Sequence, residues 1–234
     1  MIGTITNTLL VILGSITGLL VKKGIPEQIN TIIISGLGIF TCIFGLKMGL
    51  QMENPLIIII SLVLGGIIGQ VLKIEKSIEQ FAGTIRKIRM FSESETFSKG
   101  FVTASILFSI GPMTILGCIQ DGLFHRPELL ITKSIMDGIS AIILASTLGI
   151  GVLFSAVVVL IFQGSMTILA GHLHFLGEPY FLNDFTGIGG MLVFGIGIRL
   201  LGIKEIRVGN FLPGLIFLVL FKFFFNIPPL FTKF

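Results

Sequence analysis

Residues 129–171 read LLITKSIMDGISAIILASTLGIGVLFSAVVVLIFQGSMTILAG, and how this stretch is divided decides the fold. A bilayer core about 30 Å thick is crossed by roughly 20 apolar residues at about 1.5 Å rise each. The stretch is too long for one such helix, and Gly149-Ile150-Gly151 supplies a tight turn between two. Working outward, further apolar stretches run over Thr4–Val21, Ile29–Met48, Pro55–Leu72, Phe101–Ile119, Phe181–Leu201 and Phe211–Phe225. With Leu129–Leu148 and Gly151–Gly171 they make eight spans, or seven if that pair is fused.

Composition agrees. Of 234 residues 53% are hydrophobic and 12% charged, with a mean hydropathy of +1.03. A soluble domain carries roughly 25% charged residues, and one with so few could not cover this much apolar surface. A nucleic-acid-binding module, a secreted disulfide scaffold and a disordered chain are excluded. The expected fold is an all-α polytopic membrane protein. Met1-Ile2-Gly3-Thr4 lacks the basic flank of a cleavable signal and leads into a full-length span.

The basic residues test the count. With eight spans, the connections after the first, third, fifth and seventh hold Lys22, Lys23, Lys73, Lys76, Arg86, Lys87, Arg89, Lys99, Arg199, Lys204 and Arg207, 11 of the 16. The positive-inside rule makes that side cytoplasmic and puts both termini outside. Removing a span before Arg199 would move three of these residues to the wrong face, so eight is favoured. The net charge of +4 is thus a topology signal, with no nucleic-acid partner implied. Within residues 74–99, Ile74, Ile78, Phe81, Ile85 and Ile88 recur at helical spacing among charged residues, as in an amphipathic helix at the inner leaflet.

Self-comparison shows a repeat. Gly14-Ser15-Ile16-Thr17 matches Gly164-Ser165-Met166-Thr167, and the pattern GxPxx[IL]N at Gly24–Asn30 returns at Gly177–Asn183. Gly36-Leu37-Gly38 and Gly45-Leu46-Lys47 match Gly187-Ile188-Gly189 and Gly197-Ile198-Arg199, all at offsets between 150 and 153. Four matches in order at a near-constant offset imply two three-helix copies, residues 1–73 and 150–234, separated by the amphipathic segment 74–99 and two central helices in 100–149. With eight spans the copies are inverted in the membrane, a frequent construction of secondary transporters with a midplane site.

Ionisable residues inside spans are costly and mark candidate sites. Lys133 and Asp137 stand at i and i+4 on one helix face, able to pair, with Ser134 beside them. Gly111-Pro112 interrupts the fourth span, where a proline breaks the hydrogen-bond ladder. Asp121 is expected at the outer mouth after that span. Thr17, Thr114 and Thr167, with Ser15, Ser165, Asn7 and Gln163, are candidate substrate or ion ligands, with interhelical hydrogen bonding as the plainer role for each. Asn30 and Asn183 are expected to cap helices, and His172 and His174 to lie at the surface. Cys42 and Cys118 show no CxxC or His-paired spacing. No catalytic residue, metal or cofactor is implied. Glycine pairs such as Gly14/Gly18 and Gly65/Gly69 allow close helix approach within a protomer or across a homodimer. Gly36-Leu37-Gly38 and Gly187–Gly190 allow either packing or broken helices.

Gly100-Phe101-Val102-Thr103-Ala104-Ser105, Gly111-Pro112-Met113, Ile119-Gln120-Asp121-Gly122, Lys133-Ser134 with Asp137-Gly138, Ser146–Ser155 and Gln163-Gly164-Ser165 resemble the YdfK/YqgA-type bacterial membrane proteins. The resemblance covers nearly the whole chain. It implies a protein of the bacterial cytoplasmic membrane, with transport as the suggested role and no substrate attached. The expected function is a small secondary transporter or channel-like permease for a small solute or ion, not an enzyme, with the lipid bilayer as its surroundings. The alternative is a non-transporting scaffold or sensor that signals through the 74–99 helix.

Overall fold

The computed structural model describes residues 1–22, 26–78, 80 and 95–225. Helices α1 (Ile2–Lys22), α2 (Glu27–Gly49) and α3 (Pro55–Val71) are followed by α4 (Glu95–Ser109), α5 (Pro112–Phe124), α6 (Glu128–Leu148) and α7 (Gly151–Ile168). A short α8 (Ala170–Leu173) and a 3₁₀ turn lead into α9 (Pro179–Leu200), and a second 3₁₀ turn (Val208–Phe211) leads into α10 (Pro213–Phe225). The described residues contain no strand. By length and composition α1, α2, α6, α7 and α9 can each cross a membrane. The pair α4–α5 passes the same test as one span bent by 57°, and α3 and residues 208–224 are shorter apolar helices. The expected amphipathic helix over 74–99 lies largely outside the described residues.

The chain forms two compact units, Met1–Ile33 with Ile78–Gly177, and Ile34–Ser77 with Glu178–Phe234. Each unit therefore draws helices from both halves of the sequence.

The first unit buries polar groups beside its apolar core and turns an apolar surface outward. Along α1, Ile2, Ile5, Leu9, Leu13, Ile16 and Leu20 form an exposed stripe, while Thr4, Asn7, Thr8, Gly14, Ser15 and Gly18 are buried. A membrane helix gains nothing by hiding leucine from lipid, so small and polar residues take the interface. Helix α6 packs along α1 in the same direction, Gly3 meeting Leu130, Gly14 meeting Gly138 and Gly18 meeting Ile142. A Cβ on Gly14 would stand 2.2 Å from the Gly138 carbonyl oxygen, so only glycine permits this approach. The turn from α6 to α7 falls at Gly149, as its spacing predicts. Its φ of +79° with ψ of −156° is a backbone conformation reserved in practice for glycine.

In the second unit α2 and α9 cross antiparallel, and both are continuous. Gly36-Leu37-Gly38 and Gly187–Gly190 thus break no helix. A Cβ on Gly45 would lie 2.4 Å from Phe194 N and 2.7 Å from Gly190 O, and one on Gly197 would lie 2.7 Å from Cys42 N and 3.0 Å from Gly38 O. These two contacts interchange when 152 is added or subtracted. Helices α3 and α10 also run antiparallel, with Gly65 against Gly214 and Gly69 against the Asn210 carbonyl.

Candidate functional site at a broken helix

The expected break falls between α4 and α5. In an unbroken helix the Phe108 carbonyl would accept the N–H of residue 112, four positions on. That residue is Pro112, which has none. Lys133, reaching over from α6, takes the orphaned carbonyl instead, its Nζ donating to Phe108 O at 2.7 Å. Thr114 Oγ1 stands 3.5 Å from the same oxygen. The lysine also donates to Asp137 Oδ2, completing the ion pair that the i, i+4 spacing predicts. Asn7 on α1 donates its Nδ2 to the same carboxylate oxygen at 2.9 Å. All four side chains are buried, with Lys133 6% and Asp137 7% exposed.

The helices of the first unit also carry buried polar groups with no partner among the described residues. Gln163 is fully buried, and neither atom of its amide has a partner among the described residues. Ser105 and Ser109, one turn apart at the end of α4, and the Asn7 amide oxygen are buried and unpartnered as well. Helices α5 and α7 run side by side in the same sense. The Thr167 hydroxyl meets Cys118, and a Cβ on Gly122 would meet the Thr167 carbonyl and Ala170. Gln163 is one turn before Thr167 and Thr114 is one turn before Cys118, so Gln163 lies level with the helix break. A buried, unsatisfied polar group costs roughly 1–3 kcal/mol.

The remaining candidates divide. Thr167 bonds Thr4 at 3.2 Å, joining α7 to α1. Ser134 donates back to the Leu130 carbonyl at 2.6 Å and so is turned along its own helix. Thr17 is exposed and donates to the Leu13 carbonyl, and the structure does not bring it to the site. Asp121 is no solvated mouth residue. It sits within α5, 3% exposed, with Gly3 N at 3.1 Å and the Met1 amino nitrogen at 2.9 Å. The seam between α1 and α5 draws the carboxylate inward. Cys42 and Cys118 are both free, and His172 and His174 are exposed.

Sequence reasoning missed a second buried pair, in the second unit. Asp184 of α9 and Lys222 of α10 lie 2.6 Å apart with both side chains fully buried. Asp184 Oδ1 accepts the N–H groups of Glu53 at 2.6 Å and Asn54 at 2.9 Å, so it caps the start of α3. Lys222 donates to the Tyr180 carbonyl and stands 3.6 Å from the centre of that residue's ring. Asn183, expected as a cap, instead donates to Glu53 Oε1 at 2.6 Å. Elsewhere in this unit Glu75 is 1% exposed, holding Arg199 Nη1 at 2.6 Å and the Gly209 N–H at 2.8 Å. It therefore points into the protein and not along the polar face of an inner-leaflet helix. The available signal was an aspartate and a lysine inside two apolar stretches.

Residues 2–223 match the family described as "Protein of unknown function (DUF554)". The chain is 34% identical over 220 residues to the uncharacterized membrane protein YdfK of Bacillus subtilis (strain 168), covering 92% of this chain and 93% of the relative. It is 29% identical over 219 residues to the uncharacterized protein YqgA of Escherichia coli (strain K12), with coverage of 92% and 93%. No solved structure matches. The apolar helices, the inward-facing polar seam and these full-length likenesses together place the chain in the DUF554 family, as a multi-pass membrane protein.

Proposed function

We propose that this protein is a small secondary transporter or channel-like permease whose solute or ion binds at the α4–α5 break. The observation that carries the reading is the Phe108 carbonyl, orphaned by Pro112 and held by Lys133, beside the unpartnered Gln163, Ser105 and Ser109. Non-helical backbone at membrane depth is tolerated where it is buried in protein or lines a cavity, and broken helices with buried charges are a common way of building transport sites.

Helix directions support eight spans with the bent pair crossing once. If α4–α5 crosses, α6 is the fifth span and runs parallel to α1, the direction in which they pack. A re-entrant α4–α5 would make them antiparallel. The antiparallel pairs α2/α9 and α3/α10 agree with positions two and seven, three and eight. The interchange of the Gly45 and Gly197 contacts under a shift of 152 supports an inverted repeat. The basic loops then face the cytoplasm.

The test begins with a thermal-shift screen of small polar solutes and ions on the purified protein, since a ligand that prefers the folded state raises apparent stability. Hits are then assayed for uptake into proteoliposomes. A transporter gives uptake that Asp137→Asn abolishes while the variant stays folded. Uptake that is unchanged in both Asp137→Asn and Gln163→Leu sinks the site assignment.

A further inference from the structure

We propose that the Lys133 ammonium occupies a site for a monovalent alkali cation, as a covalently attached stand-in for that ion. The inference deepens the proposed function and rests on its reading of the cluster as the site. The partners of Nζ are the Asp137 carboxylate and the Phe108 carbonyl at the end of an interrupted helix. Carboxylates and the carbonyl ends of half-helices are the groups with which membrane transporters hold sodium. Two further oxygens belong to the same cluster. Thr114 Oγ1 stands 3.5 Å from the Phe108 carbonyl. The Asn7 amide oxygen has no partner among the described residues, and its own nitrogen already bonds Asp137, so rotating the amide exchanges a donor for a ligand.

Charge selects the class of ion. Lysine and aspartate sum to zero, and the carbonyl end of α4 adds a partial negative charge. Without the lysine the site lacks one positive charge, which a monovalent ion restores. A divalent ion would leave an excess at membrane depth, where uncompensated charge is costly. In the second unit Lys222 and Asp184 are committed to each other and to backbone groups of three different residues.

The experiment compares thermal midpoints of purified protein in NaCl, KCl and choline chloride at one ionic strength. In Lys133→Ala the side chain beyond Cβ is removed and room for an ion opens. Its midpoint is expected to rise by about 5 °C or more in sodium or potassium over choline, as for a ligand well above its dissociation constant. Wild type, Lys133→Met and the double variant Lys133→Ala with Asp137→Asn are expected to show shifts below about 1 °C, since nothing binds preferentially to their folded state. Lys133→Ser is the second vehicle, and failure of both small variants to fold in either alkali salt overturns the proposal. So does an absence of alkali dependence in Lys133→Ala, an equal dependence in wild type or the double variant, or rescue by n-propylammonium alone. These readouts are independent of uptake. Alkali shifts with no transported solute would sink the transporter reading and leave the cation site standing.

Discussion

Among the described residues each unit buries one lysine–aspartate pair, and the two pairs are built differently. In the second unit both members of the pair are engaged by the fold, although Ser61 and Thr186 of that unit also bury hydroxyls with no partner among the described residues. Asp184 caps α3 and Lys222 is pinned by a carbonyl and an aromatic face. In the first unit the pair repairs a helix broken by proline, and Asn7, which bonds it, keeps an amide oxygen with no partner among the described residues. One pair closes the start of a helix, and the other stands in for a missing backbone donor. Burial of charge in a membrane protein does not by itself announce function. The state of the neighbours does.

The largest effect is expected in the second unit. Asp184→Ala strips a buried lysine of its counter-charge and α3 of its cap, at about 3–5 kcal/mol. Thermal unfolding in detergent measures it, and joint replacement of Asp184 and Lys222 by Leu and Met should recover much of the loss. Asp137→Asn in the first unit is expected to cost less, about 1.5–3 kcal/mol, because the unpartnered groups nearby can relax onto the lysine. Equal losses at the two aspartates would erase the distinction between them. Next comes Gly149→Ala, which forces a side chain into the turn between α6 and α7 at about 1–3 kcal/mol, with uptake per folded molecule unchanged. The smallest change in stability belongs to Gln163→Leu. Removing an unsatisfied buried amide is expected to be neutral or to stabilise by about 1 kcal/mol, while uptake of the transported solute collapses. A loss of stability at Gln163 beyond that of Asp137→Asn would show the amide to be structural.

Much of the first unit is legible in the sequence, because its features are local. Lys133 and Asp137 are four residues apart on one helix, Pro112 announces its own missing N–H, and Gly149-Ile150-Gly151 separates two spans. The second pair joins residues 38 positions apart and appears only when α9 and α10 pack. The burial of Asp121 is illegible for the same reason, since it depends on α1 lying against it. Thr17 shows the other kind of miss, one of helical phase. Its neighbours Gly14, Ser15 and Gly18 line the buried stripe of small and polar residues, and Thr17 stands outside that stripe with Leu13 and Ile16. Read as a stripe and not as a list of hydroxyls, α1 points to Asn7 instead.

The proline at position 112 binds distant positions to a shared history. Once a residue with its own N–H stands there, the Phe108 carbonyl can return to the helix ladder and Lys133 loses one of its two acceptors. A lineage that abandons the proline is therefore under pressure to give up the lysine and the aspartate with it. Across the family, positions 112, 133 and 137 should be gained and lost together, while 184 and 222 covary only with each other.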